Sequence, residues 1–236
     1  MSKYGVSLSA SRVRSRMREE SASGQLPFRE SFGAAHMQEI FDRHADPDSR
    51  DRIFPLTTTT QAMVSQQLHD DHSLVAAVAR VNGERLATGL KPASSGTSSY
   101  SDARQRVNGD MLYEMVKASA FTMESTVPNG WLWKGQFHVK MNDGSTLKMP
   151  DTPLNQDAYP QSRTQAEGLG FPITRVAATI SLATGAVLDF KNGPWRGKET
   201  GEHALVRLME DAFEKGDVRL GDSYFPSFFR IAADQC

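Results

Sequence analysis

The chain has 236 residues, 39% of them hydrophobic and 23% charged, which suits one large globular domain or two small ones. Its formal net charge of −1 gives no bulk support for nucleic-acid binding, so local clusters must carry any such reading. The single cysteine, Cys236, excludes a disulfide framework and a multi-cysteine zinc site. No apolar run reaches the roughly 18 residues that span a bilayer, and the N-terminus has no apolar signal-peptide core, so a soluble, cytoplasmic protein without membrane association is expected.

Residues 1–29 form a Ser- and Arg-rich arm in which Arg12, Arg14, Arg16 and Arg18 recur at every second position. An extended chain would place them on one side, as a phosphate-touching arm requires; a solvated, poorly ordered terminus is the simpler account. Residues 30–127 read as a helical region. Ala35, Ile40 and Phe41 share a short amphipathic stretch, and Thr57 to Thr60 precede Met63, Val64 and Leu68. Asp71 and Ser73 are placed to cap a helix carrying Leu74, Val75, Val78 and Val81, so His69-Asp70-Asp71-His72 reads as a capping segment before it reads as a metal cluster. After a Pro/Ser/Gly break over Lys91–Ser99 comes Tyr100 to Val107, whose Arg104 and Arg106 are candidates for phosphate contact or for a solvated helix face. Another helix begins near Asp110.

Residues 128–236 change character. Phe137 to Met141 alternate as a half-buried strand does and lead into Asn142-Asp143-Gly144-Ser145-Thr146, which begins with turn formers. Leu147–Met149 could return as a short strand. A Pro/Gln/Asp-rich loop to Phe171 contains Asp151 and Asp157, read as turn residues or as auxiliary metal ligands. Ile173–Leu182 and Val187–Phe190 pair across Ala183-Thr184-Gly185-Ala186 as a hairpin. A helix from Thr200 or Gly201 carries Leu205, Leu208, Met209, Ala212 and Phe213 on one face and stops at Gly216. Val218–Leu220 is a strand that delivers Asp222, and Phe225–Ala232 reads as a short helix.

The expected fold is therefore α+β: a helical N-terminal region followed by an incomplete ribonuclease-H-like mixed sheet, with three antiparallel strands, a crossover helix and a fourth strand parallel to the first. Asp143 would close the first strand and Asp222 the fourth; the likeness to a ribonuclease-H-like sheet, in which those two strands are neighbours, implies that the acids meet at one end of the sheet. Two neighbouring carboxylates repel each other unless a cation lies between them, and all-oxygen ligation suits Mg²⁺ or Mn²⁺. Two such ions could activate a water or 3′-hydroxyl against a phosphodiester. Two aspartates at strand ends also occur as simple turn formers.

The local sequences are more specific. Trp131-Leu132-Trp133-Lys134-Gly135, Asp143-Gly144-Ser145-Thr146 and Met149-Pro150-Asp151-Thr152-Pro153 resemble the first catalytic block of the insertion-sequence-four family of DDE transposases. Pro172-Ile173, Ala183-Thr184-Gly185 and Gly197-Lys198-Glu199-Thr200-Gly201-Glu202-His203 fit the same family. Gly216-Asp217-Val218 followed by Gly221-Asp222-Ser223-Tyr224-Phe225 resembles its second block. The resemblance is dense from Trp131 to Phe229 and looser back to Leu56. It implies that Asp143 and Asp222 are the first two acids of a catalytic triad and bind Mg²⁺ or Mn²⁺. It implies double-stranded DNA, both transposon ends and target, as partner, a nucleoid-associated location and, as one assembly, a homodimer. Two departures stand out. Ser223 replaces an Arg usual in the family, and the third block, Tyr-x2-Arg-x3-Glu-x6-Lys, is not among these residues, which end fourteen residues after Asp222. The expectation is a transposase fragment inactive as written; the alternative is a non-catalytic DNA-binding fragment that competes with or modulates a full-length transposase. Other motifs are weaker. His203 has no nucleophile beside it, Gly168-Leu169-Gly170 lacks a third glycine, and Trp131 and Trp133 read as strand packing before base stacking.

Overall fold

The computed structural model describes residues 26, 28–46, 53–164, 166 and 168–221. Arg12 to Arg18, Asp222 and the helix expected over Phe225–Ala232 lie outside them. The chain divides into two compact units, Met1–Met115 and Val116–Cys236. The division falls inside a helix, earlier than the expected boundary after residue 127.

The first unit holds helices α1 (Arg29–Gly33), α2 (Ala35–His44), α3 (Leu56–Leu68), α4 (Leu74–Ala87) and α5 (Ser98–Gln105), and the first turns of α6 (Gly109–Glu124). Its core is Leu26, Phe54, Ala62, Ala77, Val78, Val81, Tyr100 and Ala103. The inward face of α4 runs through Leu74, Ala77, Val78 and Val81 at three- and four-residue spacing, and Val75 stays exposed on the other side. The start of α4 follows from Ser73, whose Oγ accepts the Ala76 N–H at 3.1 Å. Asp71 Oδ1 accepts the Ser73 N–H at 2.8 Å, and these bonds hold the Asp71 carboxyl below its usual range. His69 Nδ1 accepts the Asp71 N–H, so the His-Asp-Asp-His segment is a capping turn. In α3 the buried hydroxyls of Thr59 and Thr60 donate to the Phe54 and Leu56 carbonyls, which lets β-branched polar residues sit inside the core. The break after α4 is held by Asn82, which both donates to and accepts from the Ala93 backbone.

The second unit contains the end of α6, strands β1 (Val139–Lys148), β2 (Ile173–Ser181), β3 (Val187–Pro194) and β4 (Val218–Leu220), and the short helices α7 (Pro153–Ala158) and α8 (Glu202–Arg207). The end of α6 belongs here because its side chains serve the sheet. Lys117 pairs with buried Asp189, Ala120 packs with Ala186 and Leu188, and Glu124 accepts from the Thr184 hydroxyl. The sheet order is β3-β2-β1-β4. β1–β2 and β2–β3 are antiparallel, and β1–β4 is parallel. This is an α+β chain with a four-stranded mixed sheet among the described residues. The β2–β3 hairpin turns at the expected segment, with Gly185 at φ 75°, a conformation that favours glycine. No described helix is long and apolar enough to cross a membrane.

Three expectations need correction. β1 does not end at Asn142-Asp143-Gly144 but runs on to Lys148, every residue from Lys140 onward being paired with β2, so Leu147 is part of the same strand. The crossover helix is shorter than its apolar period suggests. α8 stops at Arg207 and a separate 3-10 turn covers Glu210–Ala212. Leu205, Val206 and Met209 pack on Ala177, each burial contributing about 1.5–3 kcal/mol, while Leu208 is exposed and Phe213 is extended. Past Arg207 the amides of Leu208, Met209, Ala212 and Phe213 donate to carbonyls three residues back, the tighter 3-10 pattern, and Lys140 Nζ donates to the Ala212 carbonyl at 2.8 Å. The long loop between β1 and β2, finally, contains α7, started by Thr152 as N-cap and Pro153 in the first turn.

Candidate active site

Along β1 successive side chains alternate between the two sheet faces. Lys140, Asn142 and Gly144 face α8 and its following turn, which puts Asp143 on the opposite face, where it is exposed. Both neighbours of Asp143 are fixed. Asn142 is buried and donates from Nδ2 to Thr179 Oγ1 at 2.7 Å, and that hydroxyl in turn lies 3.9 Å from Met209 Sδ. At Gly144 a Cβ would meet Glu202 Cδ at 2.6 Å, so the absent side chain is what lets Glu202 lie against the strand. Turn-forming residues thus occupy mid-strand positions for long-range reasons. They leave Asp143 on a backbone held from behind by α8. Its Oδ1 accepts the Gly144 N–H at 2.8 Å, and its other oxygen has no partner among the described residues.

β4 is brought alongside β1 by a buried ion pair. Lys140 Nζ lies 2.5 Å from Asp217 Oδ2, with both side chains 9% exposed, and the same Asp217 oxygen accepts the Glu214 N–H. The Val218 N–H donates to the His138 carbonyl, and the Arg219 guanidinium lies 3.6 Å from the Phe213 ring centroid while pairing with Glu210. The ladder sets Val139 against Val218, Lys140 against Arg219 and Met141 against Leu220. Asp143 is therefore not at the end of its strand; it lies two residues beyond the last described pair of the β1–β4 ladder.

Of the four residues singled out in the sequence, Asp143 is the one placed on the sheet, and Asp222 falls outside the described residues. Arg104 is exposed on α5, with its guanidinium 5.9 Å from the Tyr100 ring. Arg106 is also exposed, but it donates to the Phe54 carbonyl at 3.0 Å and so braces the helical unit. Asp151 accepts from Gln156, and Asp157 lies on α7. Trp131 and Trp133 do not pack within a strand. Both are substantially exposed, with Trp133 paired to Phe137 across a tight turn and Lys134 Nζ 4.3 Å from its ring. Among the described residues no three His, Cys, Asp or Glu side chains converge as a metal-ligand group. The exposed carboxylate of Asp143 suits one oxygen ligand of a hard divalent cation, and it needs a second acid. The Lys140–Asp217 pair and the Gly144–Glu202 contact were not foreseen. Each joins residues far apart in sequence, and only the Gly-x-Glu-Thr-Gly-Glu-His similarity drew attention to Glu202 at all.

No family model, curated protein or solved structure matches this chain.

Proposed function

We propose that the chain carries part of a DNA transposase of the insertion-sequence-four type, with Asp143 and Asp222 as two acids of a metal-dependent polynucleotidyl transferase. The observation that supports this most is the count along the parallel ladder. Leu220 pairs with Met141, Asp222 follows Leu220 by two residues, and Asp143 follows Met141 by two. Were that register to continue for two further steps, the two carboxylates would stand side by side. The strand order β3-β2-β1-β4, with one parallel pair next to an antiparallel hairpin, agrees with the opening of a ribonuclease-H-like sheet. In this reading Asp143 and Asp222 hold Mg²⁺ or Mn²⁺, which when bound supplies charge stabilisation at a phosphodiester. The protein's part is to hold Asp143 on a strand that Asn142, Gly144 and Lys140 fix in place. The 236 residues contain no Tyr-x2-Arg-x3-Glu-x6-Lys block, so strand cleavage requires a third carboxylate from elsewhere, and metal and DNA binding are the activities to seek in this chain.

The test is Mn²⁺ titration of the purified chain, followed by the electron paramagnetic resonance signal of free Mn²⁺. Asp143→Asn and Asp222→Asn should each weaken binding at least roughly tenfold. The double variant should add little, because the acids share one ion. Wild-type affinity in both single variants would rule the reading out.

A further inference from the structure

The loop between β1 and β2 frames a surface cavity of about 530 Å³; among the described residues it is lined by Gln156, Gln161, Ser162, Arg163, Arg196 and one carboxylate, Asp151. Its wall is a preformed scaffold. Gln156 donates to both Asp151 Oδ1 and the Gly170 carbonyl and accepts from the Gln161 N–H. Gln161, 9% exposed, donates to the Ala166 carbonyl and accepts from the Gly170 N–H. Against this wall stand two arginines that take part in no ion pair among the described residues. Arg196 also has its Nε buried without a hydrogen-bond acceptor. A buried donor of this kind calls for an acceptor, and among the described lining residues two guanidinium groups outweigh one carboxylate, which is already engaged by Gln156.

We propose that this cavity is a phosphate-binding subsite for the backbone of DNA, held by Arg163 and Arg196. The chemistry is that of a tetrahedral oxyanion. Two forked donors and a serine hydroxyl suit several phosphate oxygens at once, and the volume exceeds a lone phosphate, leaving room for flanking sugars. The choice of DNA rests on the transposase reading and on position. The loop continues directly from the strand that carries Asp143, whose end at Lys148 lies roughly 17 Å further along. A backbone running past Asp143 would reach the loop within a few nucleotides. Such a subsite fixes the register of the duplex and carries no sequence information of its own.

The test is fluorescence-anisotropy titration of the 236-residue chain with labelled duplexes of two unrelated sequences over a range of salt. A parallel thermal-shift series uses inorganic phosphate. The variants are Arg163→Gln, which alters an exposed side chain, and Arg163→Gln with Arg196→Gln, each checked by circular dichroism. The double variant should bind both duplexes more weakly by the same factor, with the slope of log K against log salt reduced by roughly 0.9. Arg163→Gln alone should move in the same direction. If wild type binds DNA and both variants match its affinity and slope, the subsite is refuted while the transposase reading stands. If wild type binds no DNA but phosphate stabilises it in an Arg-dependent manner, the backbone assignment is overturned along with the DNA reading.

Discussion

Replacing Asp217 by Ala is expected to destabilise the protein by about 3–5 kcal/mol, because it leaves the Lys140 ammonium buried without its counter-charge. Lys140 and Asp217 are each only 9% exposed, so solvent does little to screen the loss. The Ala212 carbonyl would remain as a neutral partner of Lys140, and it cannot replace a carboxylate. At roughly 3 °C per kcal/mol for a chain of this size, the melting midpoint should fall by about 10 °C. The paired substitution Lys140→Met with Asp217→Leu should recover most of that loss, since it removes both charges and keeps apolar volume. Asp217 immediately precedes β4, so the single variant should also expose the amides of Val218 and Leu220 to hydrogen exchange. A loss under about 1 kcal/mol in denaturant titration would mean that the pair does not hold β4 against β1.

Tyr100→Ala should cost a similar amount, about 3–5 kcal/mol, through a different mechanism. The Tyr100 ring is fully buried at the centre of the helical unit, 5.4 Å from the Phe54 centroid, and its hydroxyl donates to Gln66 Oε1 at 3.0 Å. Truncation opens a cavity among Leu26, Phe54, Ala62 and Val78 that rigid helices cannot close. Tyr100→Phe keeps the ring and should lose about 1 kcal/mol, the share of the hydrogen bond. Burial also raises the Tyr100 pKa above its ordinary value of 10.0. Its hydroxyl therefore contributes stability that is fully present below the unfolded value and is lost as pH rises through the folded one. Urea melts across the alkaline range should show this decline in wild type and a smaller one in Tyr100→Phe.

The contrast between these two residues explains what the sequence disclosed. Tyr100 follows a Pro/Ser/Gly break and opens a helix, and Ser73 precedes an apolar period, so short-range patterns exposed the helical unit and its caps. The β2–β3 hairpin was legible for the same reason, from a Thr-Gly turn between two apolar runs. β1 was misread because Asn142 and Gly144 look like turn formers when taken locally. In the fold their presence answers distant partners: Thr179 for the buried amide, and Glu202 for the space where a Cβ would be. The crossover helix was overextended because its apolar period continues past Arg207, while the backbone goes over to three-residue hydrogen bonding from Leu208 on and the Ala212 carbonyl accepts from Lys140, 72 positions away. The alternation over Phe137 to Met141 located the strand, but the more buried side chains are the polar Lys140 and Asn142, and Ser145 to Lys148 are all exposed. What local pattern could not supply was how far β1 runs beyond the ladder it shares with β4.

The central proposal is that Asp222 stands beside Asp143, as it would if the β1–β4 register ran on for two more residues. Its most direct test is a cysteine pair, Asp143→Cys with Asp222→Cys, made in a Cys236→Ser background so that no other thiol competes. Residues opposite each other on adjacent strands lie within the roughly 4.4–6.8 Å of Cα separation that a disulfide tolerates. Mild oxidation should therefore close an intramolecular bridge, read as loss of both free thiols in the monomer, whereas Ser145→Cys paired with Asp222→Cys should close poorly. Two thiols that remain fully alkylatable at positions 143 and 222 after oxidation, in a protein that still melts cooperatively, would contradict the register and with it the two-acid site.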